Sequence, residues 1–123
     1  MPSRKLLTLA ENEVERVLSR LPADVLAAAA ECPVWYEEME EALETGEDVP
    51  EDVLGLFEGS SRLDPVPGSP EDMPRIRLFL DSLWDFAEGD ERTYRKEVRT
   101  TYLHELGHYL GWDEEQVAAL GLG

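Results

Sequence analysis

The chain has two histidines in 123 residues, and both fall in one short segment. It reads His104-Glu105-Leu106-Gly107-His108-Tyr109-Leu110-Gly111-Trp112-Asp113-Glu114, which is HExxH followed by xxGxxE. Each residue of a helix turns by about 100°, so His104, Glu105 and His108 share an arc of about 100° on one face. Two imidazoles one turn apart can hold a single zinc ion, and the carboxylate beside them can hold and deprotonate a water on that metal. Glu114 stands ten residues after His104. On a continued helix it would lie too far round and too far along the axis, so the chain must turn back. Gly111 allows that, because glycine accepts the left-handed conformation that ends helices. His104, His108 and Glu114 are therefore the expected metal ligands, with the fourth position left open as catalytic zinc requires. Asp113 is also acidic and also follows Gly111. It is better used as an N-cap, with Gln116 three positions on completing a capping box.

The rest of that helix should divide into two sides. Thr101 and Val98 share or border the histidine face, while Leu103, Leu106 and Leu110 point opposite, into a core. Tyrosine hydroxyls can steady an oxyanion, and Tyr102 and Tyr109 project toward the Glu105 side, but packing is the expected role of both. Trp35, Trp84, Trp112, Phe57 and Phe79 are expected in the core or at its rim. The chain has no Gly-rich phosphate loop, no cysteine cluster and no histidine left for a Ser-His pair.

The elements that position this helix follow from periodicity. Val14, Val17, Leu18 and Leu21 predict an amphipathic helix over about 11–21, stopped by Pro22. Asp24 is placed to cap a short Ala-rich helix through Ala30. Val34-Trp35-Tyr36 has strand chemistry. The acidic stretch 37–52, broken by Gly46 and Pro50, reads as part strand and part loop. Leu54 to Glu58 is a short strand. Residues 59–74 hold several prolines and no periodicity, so they form a long loop. Ile76, Leu78 and Leu80 alternate, predicting a strand over 75–80. A helix with Leu83, Trp84 and Phe86 follows, closed by Gly89. Asp90 then caps the long helix over about 91–110.

The His104–Glu114 signature resembles that of a small bacterial zincin-like family, metallopeptidases of about this length. Asp48-Val49-Pro50, then Leu54-Gly55-Leu56-Phe57-Glu58-Gly59, then Pro74-Arg75-Ile76-Arg77-Leu78-Phe79 stand in the order that family shows. The resemblance covers about residues 11–120. It implies a minimal zincin-like α+β fold, a small mixed β-sheet packed on a long active-site helix. It supplies no substrate. In zincins generally the peptide lies extended along a sheet edge above that helix, and strand 75–80 or segment 54–58 would offer such an edge. The 59–74 loop would border the cleft.

Composition narrows the partners. With 28 acidic against 11 basic residues, the formal charge is −17. Such a field repels nucleic acid and anionic membranes, so neither is an expected partner. It suits a cationic peptide or protein substrate, and it equally suits solubility or adaptation to salt or heat. The lone Cys32 forms no internal disulfide and is expected to be buried and inert. The segment from Met1 to Leu9 lacks an apolar signal core, and no stretch is long enough to span a membrane, so the expected location is cytoplasmic. The sequence thus predicts one domain over 1–123, a zinc-dependent peptidase with Glu105 as general base. The alternative is a metal-binding or protein-interaction module that keeps the site with little or no hydrolysis. A cleft at His104 that is open, or one blocked by the 59–74 loop, separates the two. The sequence does not specify the oligomeric state.

Overall fold

The computed structural model describes residues 3–63 and 73–118, with the backbone alone at Glu114 and Ala118. Helix α1 spans Arg4–Ser19, and the Ser3 hydroxyl accepts from the Leu6 N–H at its start. It begins a full two turns before the expected residue 11. Leu6, Leu7 and Leu9 are only partly covered, so the stripe that betrays the helix, Ala10, Val14 and Val17, comes late. Helix α2 is Ala23–Ala29; Pro22 stands at its cap and Asp24 sits inside the first turn, not at the cap as expected. Strand β1, Val34–Glu37, follows.

The acidic stretch differs from its sequence reading. Only Glu37 is strand; helix α3, Met39–Glu44, follows where none was expected, and residues 45–52 are turn and loop as expected. Both oxygens of the Asp81 carboxylate accept from this helix's start, the Met39 N–H at 2.7 Å and the Glu40 N–H at 3.0 Å. The cap comes from far along the chain, so no local pattern announces it. Strand β2, Gly55–Glu58, and strand β3, Arg75–Phe79, are as expected, although β3 passes straight into helix α4, Leu80–Phe86, so that Leu80 is helical. Gly89 takes the left-handed conformation, and the Asp90 carboxylate accepts from the Thr93 N–H at 2.9 Å. That cap opens the long helix α5, Glu91–Leu110, and helix α6, Glu114–Ala118, ends the described chain. The 59–74 loop lies in large part outside the described residues.

The sheet is mixed, in the order β1-β3-β2, with β1 parallel and β2 antiparallel to β3. Val34, Tyr36, Phe57, Ile76 and Leu78 alternate onto one face and pack with α1, α4 and α5 in the main core. Leu56 and Phe79 lie on the other face, with Met39, Ala42 and Val49. Because β3 is central, it offers no edge; β2 is the edge strand beside α5. Arg77 locks this arrangement. It is 5% exposed, and it binds Glu37 of β1 at 2.6 Å, Glu47 at 3.0 Å and Glu58 of β2 at 3.3 Å. The Glu37 hydrogen bond, with help from Glu47 and Glu58 and against the effect of burial, drives the guanidinium pKa still higher. Glu13 plays the matching part between α1 and α5. It is 1% exposed and accepts from Arg95 and Arg99, each at 2.7 Å. Burial alone would raise its pKa, but the two arginines outweigh burial and hold it below the usual value. Cys32 is buried, and burial pushes its thiol up to about 12, so it is inert as expected. Among the described residues no helix is long and apolar enough to cross a membrane.

Candidate active site

Over residues 101–110 the helix α5 is buried at every position except His104 and His108. Leu103, Leu106 and Leu110 fill the core as expected. Val98 and Thr101, expected to border the histidine face, are buried as well: Val98 is fully enclosed, and Thr101 lies beneath β2. The exposed stripe is thus narrower than a two-sided helix would give, and it consists of the two imidazoles. Their ring centroids are 4.8 Å apart.

Glu105 sits between the stripe and the core at 9% exposure. Its Oε1 is 4.0 Å from His108 Nδ1. Burial pushes its carboxyl above the ordinary value, against the opposing pull of His108, His104 and the Phe57 backbone N–H. The edge strand β2 therefore lies against the carboxylate. Phe57 also meets Tyr109, ring to ring at 6.0 Å. Tyr102 and Tyr109 are buried, 1% and 4% exposed, so packing is their role, as expected.

The turn after α5 is built as its glycine predicts. Gly111 has φ 75° and ψ 25°, the Trp112 N–H reaches the Gly107 carbonyl at 2.8 Å, and the Gly111 N–H reaches that of His108 at 3.2 Å. This pair of bonds is a Schellman motif. Asp113 then caps α6: its carboxylate accepts from the Gln116 N–H at 2.8 Å, and the Gln116 side chain accepts from the Asp113 N–H at 2.9 Å. The capping box occupies Asp113 and sets Glu114 at the first position of α6. The Glu114 side chain lies outside the described residues, and among those described no group of three or more metal-binding side chains comes together. The structure thus unites His104, Glu105 and His108 on α5, and Glu114 begins the next helix, α6.

Two glycines fix that return. A Cβ at Gly107 would stand 2.6 Å from Val117 Cγ2, so α6 packs directly on α5 there. A Cβ at Gly111 would stand 2.3 Å from Leu63 Cδ1. Gly111→Ala should therefore suffer chiefly from the left-handed backbone, which costs about 1–2 kcal/mol for a residue with a Cβ, while the exposed Leu63 side chain can move aside. The expected result is a chain destabilised by at least about 1 kcal/mol, with weakened zinc binding although none of the expected ligands is touched. Chemical denaturation and zinc titration of the one variant measure both effects.

Among the described residues a groove of about 290 Å³ lies beside His104 and Glu105, walled by Val53, Leu54 and Gly55 on one side and Thr100 and Thr101 on the other. The sequence reading placed Thr101 beside the histidines and Leu54 and Gly55 in a candidate edge segment, but missed Val53 and Thr100. Gly55 carried the one available signal, since a glycine inside a strand marks close backbone approach. A Cβ there would lie 2.8 Å from Thr101 Cγ2.

The donor set suits zinc. Two solvent-facing imidazoles on adjacent turns are borderline-soft nitrogen ligands, and both are held by a helix that is buried everywhere else in that segment. No protein of curated function matches the sequence. A family model described as zincin-like metallopeptidase matches residues 29–123, which covers every strand of the sheet and the whole of α5 while leaving out α1. On that match, the chain belongs to the zincin-like metallopeptidase family.

Proposed function

We propose that the chain is a zinc-dependent peptidase, one domain over residues 1–123, acting on peptide or protein substrates. His104, His108 and Glu114 would hold the metal. Zinc, when bound, supplies Lewis-acid chemistry, making water more acidic and polarising a carbonyl. Glu105 is the general base: its carboxylate takes a proton from the attacking water and passes it to the departing amide nitrogen. Burial and the neighbouring β2 backbone keep that carboxylate from swinging away. The outer edge of β2 would pair with an extended substrate, and the groove beside His104 would receive a substrate side chain. A cationic substrate would also gain from the charge of the chain, −17. The reading extends to a soluble cytoplasmic enzyme without nucleic-acid partners.

The observation that carries this reading is the groove. A retained but idle site needs no cavity at its base, whereas a hydrolase needs room beside Glu105 for the chain it cuts. This favours hydrolysis over the metal-binding or interaction module. Incubating the zinc-reloaded protein with a peptide library and sequencing the products by mass spectrometry tests it. Defined cleavage sites are expected. An intact library in the presence of bound zinc would turn the reading over to the alternative.

A further inference from the structure

On the far side of the sheet from β2 runs a second groove, of about 320 Å³, between α1 and β1. Its α1 wall presents Glu11, Val14, Glu15 and Leu18, at helical spacings of three and four, and its β1 wall presents Val34 and Tyr36. Strand β1 is the other edge of the sheet, paired only with β3. The Ile76 N–H bonds to the Pro33 carbonyl. In a parallel ladder alternate residues address the partner, so the backbone groups of residues 33, 35 and 37 turn toward β3 and those of Val34 and Tyr36 turn off the sheet. Among the described residues these outward groups have no backbone partner. The residues that line the groove are therefore the ones with free hydrogen-bonding groups on the edge.

The rim has one sign of charge. Glu11 and Glu15 stand one turn apart on α1, and neither has an ion-pair partner among the described residues. Both act on the Tyr36 phenol, whose pKa rises to about 12 through burial first and these two carboxylates second. Between them the groove is lined by Val14, Leu18, Ala29 and Cys32, with the tyrosines Tyr36 and Tyr102. A lysine or arginine side chain matches that layout, with its stem along Val14 and Leu18 and its cation at Glu11 and Glu15.

We propose that this groove docks an extended basic segment of a partner protein, which adds a short strand to the β1 edge. Charge complementarity selects the occupant: the groove offers two carboxylates with no ion-pair partner among the described residues, beside Val14 and Leu18, on a chain of net charge −17. The site is separate from His104, and the proposal does not depend on hydrolysis.

The test uses the metal-free full chain, so that no peptide is cut, and two fluorescein-labelled probes, acetyl-Arg-Val-Arg-Val-Arg-amide and acetyl-Glu-Val-Glu-Val-Glu-amide. Anisotropy should show binding of the arginine probe and none of the glutamate probe. Amide shifts in the NMR spectrum should fall on Val34, Tyr36 and the α1 wall. Glu11→Lys/Glu15→Lys should weaken binding at least tenfold, and Glu15→Lys alone at least threefold, should the double variant fail to fold. The charge-matched Glu40→Lys/Glu44→Lys, on the exposed side of α3, should change it less than twofold. Absence of binding by the arginine probe overturns the proposal, as does equal weakening by both double variants, which would indicate the general field of the chain. Shifts confined to Gly55, Thr100 and Thr101 overturn it too, because the peptide would then sit in the candidate active site.

Discussion

Glu105→Gln should abolish peptide hydrolysis and leave zinc in place. Glutamine keeps the size of the side chain and can sit in the same 9%-exposed position against β2. It cannot take a proton from water. General-base catalysis is worth about 100- to 10,000-fold, so the rate should fall at least about a hundredfold on whichever library peptide the wild type cuts best. Zinc affinity should stay within about threefold, a change of less than 1 kcal/mol, because Glu105 is not among the proposed ligands. A variant that cuts as fast as wild type removes Glu105 from the mechanism. A variant that loses zinc along with activity moves it among the ligands.

The second large effect separates two adjacent carboxylates. Glu114→Ala should weaken zinc binding by at least about a hundredfold, more than the loss of a supporting residue causes, with little change in the melting of the metal-free chain. Asp113→Ala should keep most zinc affinity and cost about 1 kcal/mol of stability through the lost N-cap. The expected cost at Asp113 follows from its cap, since its carboxylate is engaged with the Gln116 N–H at 2.8 Å. Zinc titration and apo melting of the two variants distinguish them. The reverse pattern, with zinc lost in Asp113→Ala and kept in Glu114→Ala, would place the ligand one residue earlier.

The helix of the site was legible because every signal for it is local. Asp90 caps it, the leucines repeat at helical spacing, and Gly111 ends it. The capping box at Asp113 and Gln116 is equally local, and so the direction of the turn toward Glu114 could be read from the chain. What escaped was long-range. Helix α3 is capped by Asp81, its hydrogen bonds spanning 42 and 41 residues of sequence. Val98 looked like a bordering residue on a helical wheel, yet neighbouring elements enclose it. The choice between strand 75–80 and segment 54–58 as the edge waited on sheet order, which periodicity does not encode. The groove wall depends on how closely β2 lies on Thr101, and Gly55 alone hinted at it. Family membership covers the sheet and α5; the assignment of Glu114 still rests on spacing and on the turn.

The proposed site holds one zinc ion through His104, His108 and Glu114. Its most direct test is metal analysis of the protein after chelation, reloading with zinc and removal of the excess. His104 and His108 stand on one folded helix, and binding there releases protons as the ligands give up theirs. The expected result is about one zinc per chain, reduced to background in His104→Ala/His108→Ala with the far-ultraviolet circular dichroism unchanged. Background zinc in the folded wild type, or a full complement in the double variant, would contradict the account.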